Sequence, residues 1–258
     1  MTVSGDVRLD YAGPVATVTL DRPDVLNAQT PDMWRALRAI DRELRGDVRV
    51  VVVRGAGRAF SSGLDRQVAA ALLDPAAGPE QQPLAALPPD ECAARIAQFQ
   101  EAFTWLARPD LITVAAVHGV AVGAGFQLAL ACDLRILTDD ARLCMAEVTL
   151  GLVPDLGGTG RLVDLVGYSR ALEICVTGRW LDAAEAERLG LTNLVVPAGQ
   201  LDPAIDDLTA AVLAGHRDAV IEIKALLVDA ARRTRTEQLR AEREAQTRRI
   251  RDLAGLGE

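Results

Sequence analysis

Residues 111–155 constrain this chain more than any other stretch. From Leu111 through Cys132 there is no Asp, Glu, Lys or Arg, yet His118, Gln127 and the glycines Gly119, Gly123 and Gly125 interrupt the apolar run. A segment of this length could reach across a bilayer. The interruptions fit a buried strand, a tight turn and a buried helix better. The apolar run at 112–117 reads as the strand and residues 126–131 as the helix. Backbone N–H groups at the start of such a helix have no intrahelical partner and sit at the positive end of its dipole. They can hold negative charge developing on an oxygen, and small residues there let that oxygen approach.

A second glycine-bearing turn, Arg58-Ala59-Phe60-Ser61-Ser62-Gly63-Leu64-Asp65, follows the apolar strand expected at 48–53. If the two turns came together, they would offer two N–H donors to one carbonyl oxygen. Further short motifs accompany them: Asp21-Arg22-Pro23-Asp24-Val25-Leu26-Asn27-Ala28, Cys132-Asp133, Leu156-Gly157-Gly158-Thr159-Gly160-Arg161-Leu162, Thr177-Gly178 and residues 183–191. In this order and spacing, from about Leu20 to Pro197, they resemble the crotonase, or enoyl-CoA hydratase/isomerase, superfamily. The rest of the chain resembles it by helical pattern alone.

The chain has 258 residues, suited to one large domain or a domain with an appendage, and is 50% hydrophobic, ample for a sizeable core. Its net charge of −8 comes without a dominant basic patch, which argues against nucleic acid and anionic membrane as partners. Local N–H groups and a few Arg or Lys can still hold an anionic ligand. Residues 1–10 lack an apolar signal core. Cys92, Cys132, Cys144 and Cys175 are widely spaced among apolar neighbours and form no CxxC pair, as expected of reduced thiols in a cytoplasmic protein. No Cys/His cluster suggests a metal, and residues 119–125 do not follow the GxGxxG spacing of a nicotinamide site. Ser61 and Ser62 lack a GxSxG elbow and a histidine partner, which excludes acyl-serine chemistry.

Strands are expected at 8–11, 15–20, 48–53, 112–117, 134–137 and 194–196. Thr30 reads as a helix cap with Pro31 in the first turn, and Trp34, Leu37, Ile40 and Leu44 mark one helical face. The run at 48–53 is typical of a sheet covered on both sides. Residues 67–89, rich in Ala, Pro and Gln, read as a mobile loop with one short helix, either a lid or a plain surface insertion. Helices follow at 90–108, 159–166, 169–176 and 182–189, and everything after Pro197 reads as helical. There, Val220, Ile223 and Leu227 share a face, and Glu244 and Arg248 are spaced as a helical pair. Strands alternating with helices give an α/β class.

The resemblance implies more: a core of repeated ββα units over residues 1–197 (the ClpP/crotonase spiral fold) and a C-terminal helical trimerisation region over 198–258. It implies homotrimers, often paired into hexamers, and an acyl-CoA substrate with no separate cofactor. By position, the N–H groups of Leu64 and Ala124 would form the oxyanion hole. Val25 and Leu26, with Ser62, Gly63, Leu64, Asp65, Gly123 and Ala124, would line the CoA thioester; Arg22 and Arg58 are equally candidates for a phosphate contact and ordinary surface charges. The family's hydratases use two glutamates. Glu147 stands at the second position, but Gln127 stands at the first, and a glutamine can hold a water without exchanging a proton with it. This favours double-bond isomerisation over hydration. Asp155 stands where dienoyl-CoA isomerases of the family carry an aspartate, and reads alternatively as a helix cap. Gln127 reads alternatively as a core amide satisfying nearby backbone, and Glu147 as a surface acid. His118 is expected to be structural. A hydratase proper and a catalytically weak acyl-CoA binding protein remain the competing readings. The ending at Gly257-Glu258 lacks the aromatic and basic tail common in the family, so the terminus is not expected to complete an acyl pocket.

Overall fold

The computed structural model describes residues 2–4, 6–76 and 83–256. The middle of the expected 67–89 loop and the Gly257-Glu258 ending lie outside the described residues. The chain runs β1 (Thr2–Ser4), β2 (Val7–Ala12), β3 (Val15–Leu20), α1 (Pro31–Glu43), β4 (Val50–Gly55), α2 (Arg66–Leu73) and α3 (Pro89–Thr104). It continues through β5 (Ile112–Val117), β6 (Val120–Val122), α4 (Ala124–Ala131), β7 (Leu134–Thr138), β8 (Arg142–Cys144), α5 (Gly158–Val166) and α6 (Tyr168–Thr177). β9 (Trp180–Asp182), α7 (Ala183–Leu189), β10 (Leu194–Val196), α8 (Leu201–Ala214), α9 (Arg217–Ala230) and α10 (Arg235–Leu253) complete it.

A seven-stranded sheet has the order β1-β2-β3-β4-β5-β7-β10. The β2–β3 hairpin is antiparallel, and every pairing from β3 to β10 is parallel. Successive strand residues point to opposite faces, so the valine run of β4 is divided between two cores. Val51 and Val53 pack on one side with Trp34, Leu37 and Ile40 of α1 and Phe99 and Phe103 of α3. Val50 and Val52 pack on the other with Val114, Ala116, Ile136 and, from α8, Leu201 and Ile205. The expected sheet covered on both faces is present, and α8 is one of its covers. Thr30 caps α1, its hydroxyl accepting from the Met33 N–H at 3.2 Å.

A second sheet, β6-β8-β9, was not foreseen. Its strands have three residues each, too short for an alternation pattern to be read. Residues 119–125 are therefore not one tight turn: β6 pairs with β8 before α4 begins, two residues earlier than expected.

The C-terminal helices depart from expectation in two places. Glu244 takes Arg240 at 2.8 Å, while Arg248 reaches across to both carboxylate oxygens of Glu222 on α9 at 2.7 and 2.8 Å. The Glu244–Arg248 spacing is satisfied by other partners because a bidentate contact between helices holds the guanidinium better than a single exposed neighbour on its own helix. On α9, Ile223 and Leu227 are exposed and the buried residue is Lys224. Its ammonium donates to the Leu111 carbonyl and to Asp133 Oδ2, both at 2.7 Å. Asp133 also accepts from the backbone N–H and hydroxyl of Thr113 at 2.8 and 3.0 Å. One cation thus ties α9 to the start of β5. Removing one partner of a buried pair leaves the other uncompensated. Lys224→Met, which keeps the aliphatic stem, should cost about 3 kcal/mol, read as a lower urea midpoint at unchanged m-value; an unchanged midpoint would remove the tether from the account.

Candidate functional site

The site forms where two loops meet edge to edge. The 60–65 segment pairs with 118–122: the Phe60 N–H donates to the His118 carbonyl, the Ser61 N–H to Val120, and the Val122 N–H returns to Ser61, all at 2.9–3.0 Å. On its other side the same segment holds 25–29. The Ser62 N–H donates to the Leu26 carbonyl at 2.8 Å, the Ser62 hydroxyl to the Val25 carbonyl at 3.2 Å, the Gln29 N–H to Gly63 at 2.7 Å, and the Asp65 N–H to Gln29 at 2.9 Å. Val25, Leu26, Ser62, Gly63, Leu64 and Asp65, separate in sequence, are thereby neighbours.

A buried polar network beneath this junction had not been singled out. Asn27 accepts from the Arg22 N–H and donates to the carbonyls of Ala56 and Ala59, at 2.8–2.9 Å. The Ser61 hydroxyl donates to the Asn27 carbonyl and accepts from Gln29 and from the Gly63 N–H. Its lone pairs and proton are all engaged, which agrees with the exclusion of acyl-serine chemistry. Leu26 and Asn27 have left-handed backbone (φ 55° and 54°); an asparagine in a turn, which tolerates that region and bonds locally, is the only part of this that the sequence displays.

Gly63 lets the loops touch. A Cβ on Gly63 (φ +84°) would lie 2.4 Å from the Val122 carbonyl oxygen and 3.5 Å from the Ala124 nitrogen. A side chain at Gly63 would thus meet both the end of β6 and the first residue of α4. Because Leu64 bridges Gln29 through the bonds of its neighbours, its own N–H points away from Gln29. Among the described residues, neither the Leu64 nor the Ala124 N–H donates to a protein acceptor. Gly123, the cap residue of α4, has no side chain to satisfy the first turn, leaving orphan donors at its positive end.

Glu147 begins a 3-10 turn after β8. Its carboxylate covers Gly123: a Cβ there would be 3.2 Å from Oε1 and 3.7 Å from Oε2. Gln127, on α4 one turn after Gly123, donates from Nε2 to Glu147 Oε1 at 2.7 Å. The Gln127 oxygen accepts the N–H groups of Leu156 and Gly158 at 2.9 and 3.2 Å. Gln127 is therefore a core amide that satisfies backbone and also a partner of Glu147. Glu147 Oε2 is buried with no hydrogen-bond partner among the described residues. Burial pushes the Glu147 carboxyl above its ordinary value; the Gln127 N–H pulls it back in part, and the Asp155 charge adds to the rise. Burial likewise raises Asp155.

Asp155 is not a helix cap. α5 is capped by Gly157 with no side-chain bond, because the chain turns through two further residues before the helix starts. The Asp155 carbonyl is held instead by Gln100 of α3 at 2.6 Å. Arg22 bonds the Ala28 carbonyl at 2.6 Å and Asp65 at 3.1 Å. Burial raises the Asp65 carboxyl, but Arg22 and the N–H groups of Gln67 and Val68 outweigh it, so the pKa is lowered. Arg58 is exposed and lines a cleft of about 820 Å³ with Arg54, His118 and Asp202, which none of the residues around Glu147 enters. His118 bonds the Gly57 carbonyl at 3.0 Å, a structural contact, as expected. Among the described residues no group of three or more His, Cys, Asp or Glu side chains could hold a metal, and no helix is long and apolar enough to cross a membrane.

These contacts rank two substitutions. Gly123→Ala keeps its one tight contact on a carboxylate but places a Cβ at φ 49°, ψ −117°, a sparsely populated backbone region, and should cost about 1–3 kcal/mol. Gly63→Ala drives a Cβ into a carbonyl oxygen and should cost more. Urea unfolding of both variants checks the order.

The chain matches the family model "Enoyl-CoA hydratase/isomerase" over residues 10–253. A solved structure from Thermobifida fusca YX, assigned as an enoyl-CoA hydratase and in complex with acetoacetyl-CoA, superposes with a TM-score of 0.90 at 45% identity, covering 96% of this chain and 95% of that one. An enoyl-CoA hydratase from Bacillus anthracis superposes at 0.81 with 26% identity, covering 96% and 95%. A peroxisomal Delta(3,5)-Delta(2,4)-dienoyl-CoA isomerase of Arabidopsis thaliana is 30% identical over 227 residues, 86% of this chain and 80% of its own length. With this fold, this junction of loops and these relatives, the chain is an enzyme of the enoyl-CoA hydratase/isomerase family.

Proposed function

We propose that this enzyme moves a double bond in an unsaturated fatty acyl-CoA thioester and does not hydrate it. The observation that carries this reading is the state of the two family acid positions. Among the described residues Glu147 has one buried oxygen without a partner, while the other position is Gln127, with its oxygen on two N–H groups and its nitrogen on Glu147. Of these two positions, one can carry a proton and the other, an amide, can hold a water but cannot exchange a proton with it.

The reaction follows from that inventory. Glu147 takes a proton from carbon 2 of a 3-enoyl thioester. The C–H electrons form the carbon 1–carbon 2 double bond, and the carbonyl pair moves onto oxygen. The Leu64 and Ala124 N–H groups stabilise that enolate oxygen more than the starting carbonyl, which is what lowers the barrier. As the enolate collapses, the carbon 2–carbon 3 double bond forms, the carbon 3–carbon 4 pair takes the proton from Glu147 at carbon 4, and the carboxylate is restored. Val25, Leu26, Ser62, Gly63, Leu64, Asp65, Gly123 and Ala124 are the proposed thioester contacts.

A second reading uses Asp155. Its half-buried carboxyl with a raised pKa lies close enough to raise Glu147, and two acids along a conjugated chain can move protons further than one. A dienoyl substrate would engage both.

We further propose that 198–258 is the assembly region of a homotrimer or a dimer of trimers. Ile223 and Leu227 of α9 and Ile250 and Leu253 of α10 are exposed apolar side chains awaiting cover; light scattering of the purified protein tests the mass. The four unpaired thiols support placement in a reducing cytoplasm.

The test is turnover of crotonyl-CoA, a 3-enoyl-CoA and a 3,5-dienoyl-CoA with product masses. Isomerised product of unchanged mass is expected, and addition of water to crotonyl-CoA would overturn the preference. Glu147→Gln should lower kcat about a thousandfold while acyl-CoA binding persists. Asp155→Asn should lower kcat on the diene most, and on the 3-enoyl substrate should only move the Glu147 titration to lower pH. The base must be ionised and its pKa is raised, so kcat/KM should fall as pH drops through a value above the ordinary glutamate range.

A further inference from the structure

We propose that Gln127 is a positioning residue that selects the reactive atom of Glu147, holding Oε1 so that Oε2 is the oxygen that exchanges the proton. This rests on the proposed role of Glu147 as the proton carrier.

The orientation of the Gln127 amide is not free. Its oxygen faces the N–H groups of Leu156 and Gly158; a flipped amide would set an NH2 group against two donors. Two main-chain groups thus dictate that the nitrogen faces Glu147, and it does, at 2.7 Å from Oε1. A bond to an ionised acceptor is among the stronger hydrogen bonds. With Oε1 held there, Oε2 is left buried and, among the described residues, unpartnered. An unmet buried oxygen is costly, and a substrate proton delivered to it would complete it. The backbone is shaped to this end: a Cβ on Gly158 would lie 2.7 Å from Gln127 Cγ, so glycine there admits the side chain. The same segment carries Asp155, so Gln127 also couples the Glu147 carboxylate to the Asp155 loop. The other titratable groups that feel Glu147 are the Cys144 and Cys175 thiols, which burial pushes up and keeps neutral.

The experiment compares Gln127→Leu and Gln127→Glu in the full-length enzyme. Glutamate carboxyls are labelled with carbon-13 and the Glu147 signal is assigned by its loss in Glu147→Gln. Gln127→Leu withdraws a donor from the anion, so Glu147 should titrate at higher pH, the acid limb of kcat/KM should move with it, and kcat should fall about a hundredfold with KM near its starting value. Gln127→Glu keeps the acceptor for Leu156 and Gly158, and with it the fold. It sets a second carboxylate oxygen against Oε1, so the two acids should titrate as a coupled pair shifted upward. An unchanged Glu147 titration in the folded variants, or an unchanged kcat in Gln127→Leu, would overturn the positioning role. The titration needs no turnover, so this result stays separate from failure of the isomerase reading, which would appear as turnover surviving Glu147→Gln.

Discussion

The contact on which the rest of the site depends is the seam between residues 60–65 and 118–124. Without a Cβ at Gly63, the loop after β4 lies against the strand before α4, and their backbones exchange hydrogen bonds. At this close approach neither the Leu64 nor the Ala124 N–H donates to a protein acceptor among the described residues. The approach also sets the start of α4 where Glu147 can cover Gly123. A side chain at Gly63 would press a Cβ to 2.4 Å from the Val122 carbonyl oxygen and force the two backbones apart.

The seam is supported from below by amides and hydroxyls rather than by apolar packing. Asn27, Gln29 and Ser61 are fully buried, and each polar group finds a partner. A satisfied polar network has directional requirements that an apolar core lacks, so it holds loop backbone in one register. The acid side of the site follows the opposite logic. Glu147 is left with an unmet oxygen, and its surroundings raise its proton affinity. Satisfied amides give the frame, and one unsatisfied carboxylate is the group that the proposed chemistry uses.

The large sheet supplies rigidity on both sides. α8 closes the face opposite α1 and α3, while α9 and α10 stand off it and leave apolar residues in the open. Lys224 is the exception that anchors α9, reaching through to Asp133, which in turn holds the first turn of backbone in β5. That strand leads directly into the seam, so the C-terminal helices and the site share one mechanical element.

Much of this was legible in the residues themselves. The valine run of β4, the capping of α1 by Thr30 and the apolar strand and helix on either side of Gly123 are local patterns, and local energetics dictate them whatever lies elsewhere. The motifs also carried the family, because turns that need small residues leave a readable order of glycines. The three-residue strands β6, β8 and β9 were not readable, since they exist through partners distant in sequence. Nor could residue spacing say that Arg248 would choose Glu222, that Lys224 would be the buried residue of α9, or that Asp155 would miss the cap of α5. The same holds for Gln127: sequence identified a glutamine where an acid was expected, but its orientation depends on two N–H groups 29 and 31 residues away. Chain-local free energies set the elements, and hydrogen bonds between distant segments decided how the candidate site is arranged.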